Sequence, residues 1–151
     1  MPSRVVINKA SDGVRVIDYS TSACRAKLTH LLDRYDQCRL ECDGLTRVLH
    51  TVLAVQHIPH RVVVGRIAHT PTHTAMSPHF WIALEGEWRV NYRARMWLGD
   101  LADVPHGVFA VSDYPAVEYI GRRVELEPLH PTLFTILTGR MTPPDPMDFT
   151  S

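Results

Sequence analysis

The sequence predicts an α+β domain with a mainly antiparallel sheet, because helical periodicity is gathered early in the chain and strand patterns late. Leu28, Leu31, Leu32 and Tyr35 recur at the i, i+3, i+4, i+7 spacing of one helical stripe. Leu45, Val48, Leu49, Val52 and Leu53 repeat it over residues 42–56. Ahead of these helices, "RVVI" and "VRVIDY" read as short strands parted by the turn-like "SDG". Between the helices, Asp36 or Glu41 marks a start for the second, and Gly44 interrupts its first turn. Pro59 forbids the second helix from continuing, and "HRVVVGRI" has the β-branched density of a buried strand. "AHTPTHTAMS" is expected to be a polar loop, "SPHFWIALEGEWRVNY" a hairpin, and "VFAVSDYPAVEYIGRRVELE" one or two further strands. "PTLFTILTG" closes the pattern as a short helix stopped by Gly139. The core is expected within residues 3–140, a single domain taken as 1–140. Residues 141–151, "MTPPDPMDFTS", are expected to form an extended, poorly packed tail.

A chain of 151 residues can bury a core of this kind without metal or disulfide staples. Sixteen basic residues balance sixteen acidic ones, which argues against a general nucleic-acid or anionic-membrane binder. Cys24, Cys38 and Cys42 are odd in number and confined to the first third, a poor plan for a disulfide framework. The N-terminus lacks an apolar signal region, and no run of roughly eighteen apolar residues occurs. A soluble, cytoplasmic protein with no membrane partner is the expectation.

The hairpin carries the first chemical signal. Its arms divide into an apolar set, Phe80, Ile82 and Leu84 with Trp88, Val90 and Tyr92, and a second set containing His79, Trp81, Arg89 and Asn91. For the apolar sets to share a face the loop must hold an odd number of residues. A loop of Leu84, Glu85 and Gly86 satisfies this, with the glycine in a left-handed position. Pairing then runs Ala83 with Glu87, Trp81 with Arg89, and His79 with Asn91. Opposed Cβ atoms lie roughly 4.5–5.5 Å apart, so the Asn91 carboxamide can fix one nitrogen of His79 and its tautomer. Alternatively the pair is a chance neighbourhood on a solvated face.

An oriented imidazole calls for a nucleophile, and Cys42 opens the second helix, where unpaired amides and the helix dipole favour a thiolate. Equally, Cys42 extends the stripe of Leu45 and Leu49 as an apolar residue. Cys24 and Cys38 are expected to continue the stripe of the first helix.

Cys42 stands sixteen residues before the "IPHRVVVG" that ends at Gly65, followed by "HFWIAL" from His79 and "WRVNY" with Asn91. In that order the elements resemble the transglutaminase-like branch of the papain-type cysteine enzymes, over about residues 42–95. A helix-ending glycine is usual there where this chain has His57, and an aspartate is commoner than Asn91. The resemblance implies a papain-like core, with the nucleophile's helix packed on an antiparallel sheet. It also implies a cysteine peptidase, amidase or acyltransferase acting through a thioester and needing no cofactor. Cys42 is then nucleophile, His79 general base and acid, and Asn91 the orienting residue. The Cys42 backbone N–H supplies one oxyanion donor, with Gln37 a candidate second. Trp81, Arg89 and Arg93 are candidate substrate-binding residues, the arginines for a substrate carboxylate or phosphate. The substrate is expected to be a protein, peptide or small amide.

Two other readings use the same residues. One is a binding module of this fold without catalysis. The other is a zinc site from Cys38 and Cys42 with His69 and His73, although the histidines are more simply a solvated loop. The Arg and aromatic run "YRARMW" is too short, in a neutral chain, to indicate nucleic acid.

Overall fold

The computed structural model describes residues 4–5 and 17–149. It shows an α+β arrangement in chain order: β1 (Arg4–Val5), β2 (Ile17–Asp18), α1 (Ser22–Asp33), α2 (Cys42–Val55), β3 (Arg61–His69), β4 (Thr74–Ala83), β5 (Trp88–Asn91), α3 (Ala94–Leu98), β6 (Gly107–Ala110), β7 (Val117–Val124) and α4 (Pro131–Thr138). β1 and β2 pair antiparallel, and the "SDG" turn between them lies outside the described residues. The principal sheet is five-stranded and antiparallel throughout, in the order β6-β5-β4-β3-β7. None of the described helices is long and apolar enough to cross a membrane.

The helices start and stop for local reasons. The Thr21 hydroxyl accepts from the Cys24 amide at the start of α1, whose buried residues include Leu28, Leu31 and Leu32. The chain then turns through residues 34–37, so Cys38 lies beyond the helix and not on its stripe, yet it is buried in the same core. α2 leaves from Glu41 in extended conformation and ends at His57, whose φ of 57° is left-handed. The Ile58 amide donates to Leu53 O and the His57 amide to Ala54 O, so a histidine holds the place where glycine ordinarily closes a helix. α4 has His130 as its cap, Pro131 in its first turn and Gly139 in the left-handed position beyond it.

Both faces of the sheet are covered. Ile82, Leu84, Trp88 and Val90 pack with the stripes of α1 and α2 and with Phe134 of α4 in the larger core. Trp81, Ala83, Val63 and Ile67 pack on the opposite face with Ala94 and Leu98 of α3 and with Val104. That second layer argues against the alternative of a solvated hairpin face, and it turns "RARMW" into a short helix with Ala94 and Leu98 turned inward. Similarly, β3 runs to His69 and β4 begins at Thr74, so the expected polar loop shrinks to residues 70–73. His69 is buried between Thr72 and Asp103, not solvated.

The tail, described to residue 149, is extended and is anchored to the domain at Gln56 and by Phe149, its other side chains being exposed or half-buried. Buried Gln56 donates through Nε2 to Pro144 O and Asp145 O and accepts from the Met147 amide through Oε1. Phe149, 6% exposed, belongs to the main core, and its carbonyl accepts from the Cys24 thiol. The proline count concealed this, whereas Met141, Met147 and Phe149 were the apolar anchors.

Candidate active site

Cys42 is the first residue of α2, so its backbone N–H has no acceptor within the helix. Glu41 caps the helix in extended conformation without a side-chain hydrogen bond. Cys42 is 8% exposed, and the backbone amides of Phe80 and Asp43 act on its sulfur. Those amides favour the anion, but burial outweighs them, and the Asp43 and Glu41 carboxylates add to it. The net effect pushes the Cys42 thiol up. This reverses the expectation of a helix-activated thiolate. Burial, the larger cause, is not legible in the sequence, whereas the lesser contribution of the two flanking acids is.

His79 lies one residue before Phe80 on β4, with its side chain fully buried. Burial holds its imidazole below the ordinary histidine value, with the Asn91 hydrogen bond opposing. Its ring stacks on Trp81 at 6.3 Å between centroids and 26° between planes. Nε2 lies 3.2 Å from Asn91 Oδ1 and 3.0 Å from Nδ2. Nδ1 is buried and has no hydrogen-bond partner.

The Asn91 carboxamide is held at both ends. Its Oδ1 accepts from the Arg93 backbone N–H at 3.0 Å, and its Nδ2 donates to the Tyr119 hydroxyl at 3.0 Å. A backbone amide can only donate, so the atom facing Arg93 is the oxygen. Both carboxamide atoms stand within hydrogen-bond distance of Nε2; in the tautomer with the proton on Nε2, Oδ1 accepts it and the Nδ1 lone pair is the free basic site.

The His–Asn contact forms, but not through the expected register. Ile82 pairs with Val90 and Ala83 with Arg89, and the Leu84 amide donates to Trp88 O. The loop is therefore Glu85, Gly86 and Glu87, not Leu84 to Gly86, and Asn91 reaches His79 diagonally across the strands. Leu84 stays paired because that buries it in the main core. An odd loop is retained, so every side chain keeps its predicted face. Diagonal partners at roughly 7–8 Å are still within reach of long side chains.

The other candidates divide. Trp81 is buried between His79 and Tyr119, so it supports the imidazole rather than presenting a surface to substrate. Arg93 is fully engaged: Nε donates to Leu40 O, Nη1 to Asp36 Oδ1 and Tyr92 O, and Nη2 to Asp36 O and Cys38 O. It is a clamp on the segment leading into Cys42, not a free cation. Arg89 is half-buried on the Trp81 side of the sheet, away from the Arg93 clamp, and donates to Gly86 O and Trp88 O. Gln37 is exposed on the turn after α1. Cys38 and Cys42 do not join His69 and His73, and no group of three or more possible metal ligands is gathered among the described residues.

Sequence reasoning missed Tyr119, which alternation along "VEYIG" places on a sheet face but does not pair with Asn91. It also missed Asp36, which accepts from Arg93 and from His106 Nε2 at 2.8 Å. An open cavity of about 540 Å³ adjoins the start of α2, walled by Leu40, Glu41, Tyr92, Arg93, Met96 and His106. Comparison with protein-family models, curated proteins and solved structures finds no match to this chain.

Proposed function

We propose that the chain is a cysteine-dependent acyl-transfer enzyme with a papain-like, transglutaminase-type core, and that Cys42, His79 and Asn91 form its triad. The observation that carries this reading is His79: a fully buried imidazole with Nε2 beside the Asn91 carboxamide and Nδ1 left without a partner, one residue from Phe80, whose backbone amide favours the Cys42 thiolate. An unsatisfied buried nitrogen costs about 1–3 kcal/mol. Such a cost is understandable where the lone pair has a proton to accept.

Because burial raises the thiol and lowers the imidazole, the resting pair is neutral. Attack is therefore base-assisted. As the Sγ–carbon bond forms on a substrate carbonyl, the thiol proton passes to His79 Nδ1 and the carbonyl electron pair moves to oxygen. The free Cys42 backbone N–H stabilises that oxyanion. When the intermediate collapses, the carbon–nitrogen bond breaks and the imidazolium returns its proton to the leaving nitrogen. Water then attacks the thioester with His79 again as base, releasing the acid and restoring the thiol. A substrate amine in place of water gives transfer. The substrate is a peptide, protein side-chain amide or small amide entering by the cavity beside Leu40 and Glu41, and no cofactor takes part. Free cysteines at 24, 38 and 42 suit a reducing compartment, which we take to be the cytoplasm.

One observation favours a second reading, a binding module without catalysis: the thiol is mostly buried and its ionisation is disfavoured. Labelling with a cysteine-directed acylating probe separates the two. The enzyme reading expects one adduct per chain, on Cys42, absent in Cys42→Ala and strongly slowed in His79→Ala. Slow, equal labelling of all three cysteines, unaffected by His79→Ala, sinks it.

A further inference from the structure

A separate cluster of like charges lies on the sheet face that carries Trp81. Ala83 pairs with Arg61 on one side and Arg89 on the other, and Val63 pairs with both Trp81 and Arg123. Cross-strand partners point to the same face, so the three arginines rise from three different strands around two small residues. Together with Trp81, Tyr119 and Gly121 they line a cavity of about 230 Å³ in which no acidic residue takes part.

The floor of this cavity is kept low by the sequence. A Cβ at Gly121 would come within 2.8 Å of the Trp81 ring and of the Val63 side chain, so only glycine lets the indole lie across β7. Ala83 is likewise small, leaving the space between Arg61 and Arg89 open above it. Two carboxylates reach these arginines without lining the cavity, Glu87 acting on Arg89 and Glu125 on Arg123. Glu87 accepts from the backbone and hydroxyl of Ser112, and Glu125 pairs with Arg123 at 3.0 Å at the exposed edge. Arg89 directs Nη1 to Gly86 O and Trp88 O, and Arg61 makes a single long contact to Leu84 O at 3.5 Å, so most of their donors are uncommitted. Burial and, after it, the neighbouring Arg61 charge hold the Arg89 guanidinium below its ordinary value, with Glu87 opposing. Repulsion of this kind is relieved by an anion between them, for which the planar, multi-donor guanidinium is well suited.

We propose that Arg61, Arg89 and Arg123 form a binding site for a single oxyanion group, a phosphate or a carboxylate, held by the guanidinium groups above the floor that Ala83, Gly121 and the edge of Trp81 make. The cavity is smaller than the roughly 300–1,000 Å³ of ordinary small-molecule pockets, so it takes a headgroup or short acid rather than a whole nucleotide. Its far wall is Tyr119, whose hydroxyl accepts from Asn91. The anion site therefore abuts the His79–Asn91 pair without containing it, and it stands whether or not Cys42 reacts.

Isothermal titration of the full chain with inorganic phosphate and with succinate, at ionic strength matched by chloride, tests this. Expected is one saturable site per chain for at least one anion. Its affinity should fall about tenfold in Arg61→Gln and again in Arg123→Gln, as the loss of a charge-assisted hydrogen bond predicts. Both residues are exposed, so these variants are expected to keep the fold, which circular dichroism verifies. A preference for phosphate identifies a phosphorylated ligand, and a preference for succinate a carboxylic acid. No saturable binding of either anion beyond chloride, or equal affinity in wild type and the double variant, overturns the proposal.

Discussion

Replacing Arg93 by alanine removes a guanidinium that is 8% exposed and donates five hydrogen bonds, four of them to the segment 36–40 and one to Tyr92 O. The loss is large because of what remains behind. Asp36 loses a partner at 2.6 Å, and the carbonyls of Asp36, Cys38 and Leu40 are left facing a void. Breaking a buried pair by deleting one member costs about 3–5 kcal/mol. Asp36 is only partly buried and keeps His106 as a second donor, which places the expected cost near the lower end, about 3 kcal/mol. For a chain of this size that corresponds to a fall in Tm of roughly 6–12 °C. Arg93→Lys retains the charge but has three donors from a single nitrogen, so it should recover about half of the loss. Urea unfolding followed by circular dichroism gives the free energies, and the alkylation rate of Cys42 in native buffer reports on the segment the clamp holds. In Arg93→Ala that segment loosens, and the probe should reach the buried thiol faster. An Arg93→Ala chain within about 1 kcal/mol of wild type, with unchanged thiol accessibility, would refute the assignment of Arg93 as a clamp.

Three further outcomes follow from local chemistry. With the thiol held above its ordinary range by burial, Asp43 and Glu41, the alkylation rate of Cys42 should still be rising above about pH 9, whereas an acid-shifted plateau near roughly pH 5 would show that a thiolate–imidazolium pair exists at rest. Burial holds His60 down to about 4, so the folded state binds fewer protons than the unfolded one between pH 6.5 and 4. The resulting stability is complete above about pH 6.5 and is lost as pH falls through that window, roughly 2 kcal/mol by pH 5, and His79 acts in the same direction; urea midpoints at about pH 7.5 and 5 should differ accordingly, and less so in His60→Gln. His57→Gly should raise stability by about 1 kcal/mol, because it relieves a left-handed conformation at the end of α2, and an unchanged or lower Tm would count against strain at that position.

Periodicity reached the elements more surely than it reached their surroundings. Leu28 to Tyr35 and Leu45 to Leu53 each predict one buried helical stripe, and the residues of both lie in the main core, because a stripe of that width has to be covered, although Tyr35 enters it from the turn beyond α1. Alternation likewise assigns the hairpin faces, since parity is all it needs. The loop moves by one residue, from Leu84, Glu85 and Gly86 to Glu85, Gly86 and Glu87, and its odd length leaves that parity intact. What alternation cannot supply is the partner for the second face. α3 is five residues long and offers no stripe to read, so the cover over Trp81 and Ala83 was invisible. The same limit applies to the candidate site. His79 and Asn91 are legible as neighbours because one hairpin carries both, whereas Arg93 with Asp36 and Asn91 with Tyr119 are separated by 57 and 28 residues. Contacts of that separation leave no mark on a single sequence.

Arg93 is where the two halves of the proposed site become one structure. Its backbone N–H orients the Asn91 carboxamide, while its guanidinium secures residues 36–40 immediately before Cys42. The backbone contact survives any substitution but proline, and the side-chain contacts do not. Substitution of the side chain should therefore disturb the nucleophile's approach more than the histidine's orientation. In kinetic language, Arg93→Lys should alter the rate of the acylation step while leaving the ionisation of His79 near its wild-type value. A shift in the His79 ionisation as large as that produced by Asn91→Ala would mean that the guanidinium, and not the backbone amide, sets the carboxamide, and that the segment before Cys42 and the hairpin are coupled more directly than the hydrogen bonds indicate.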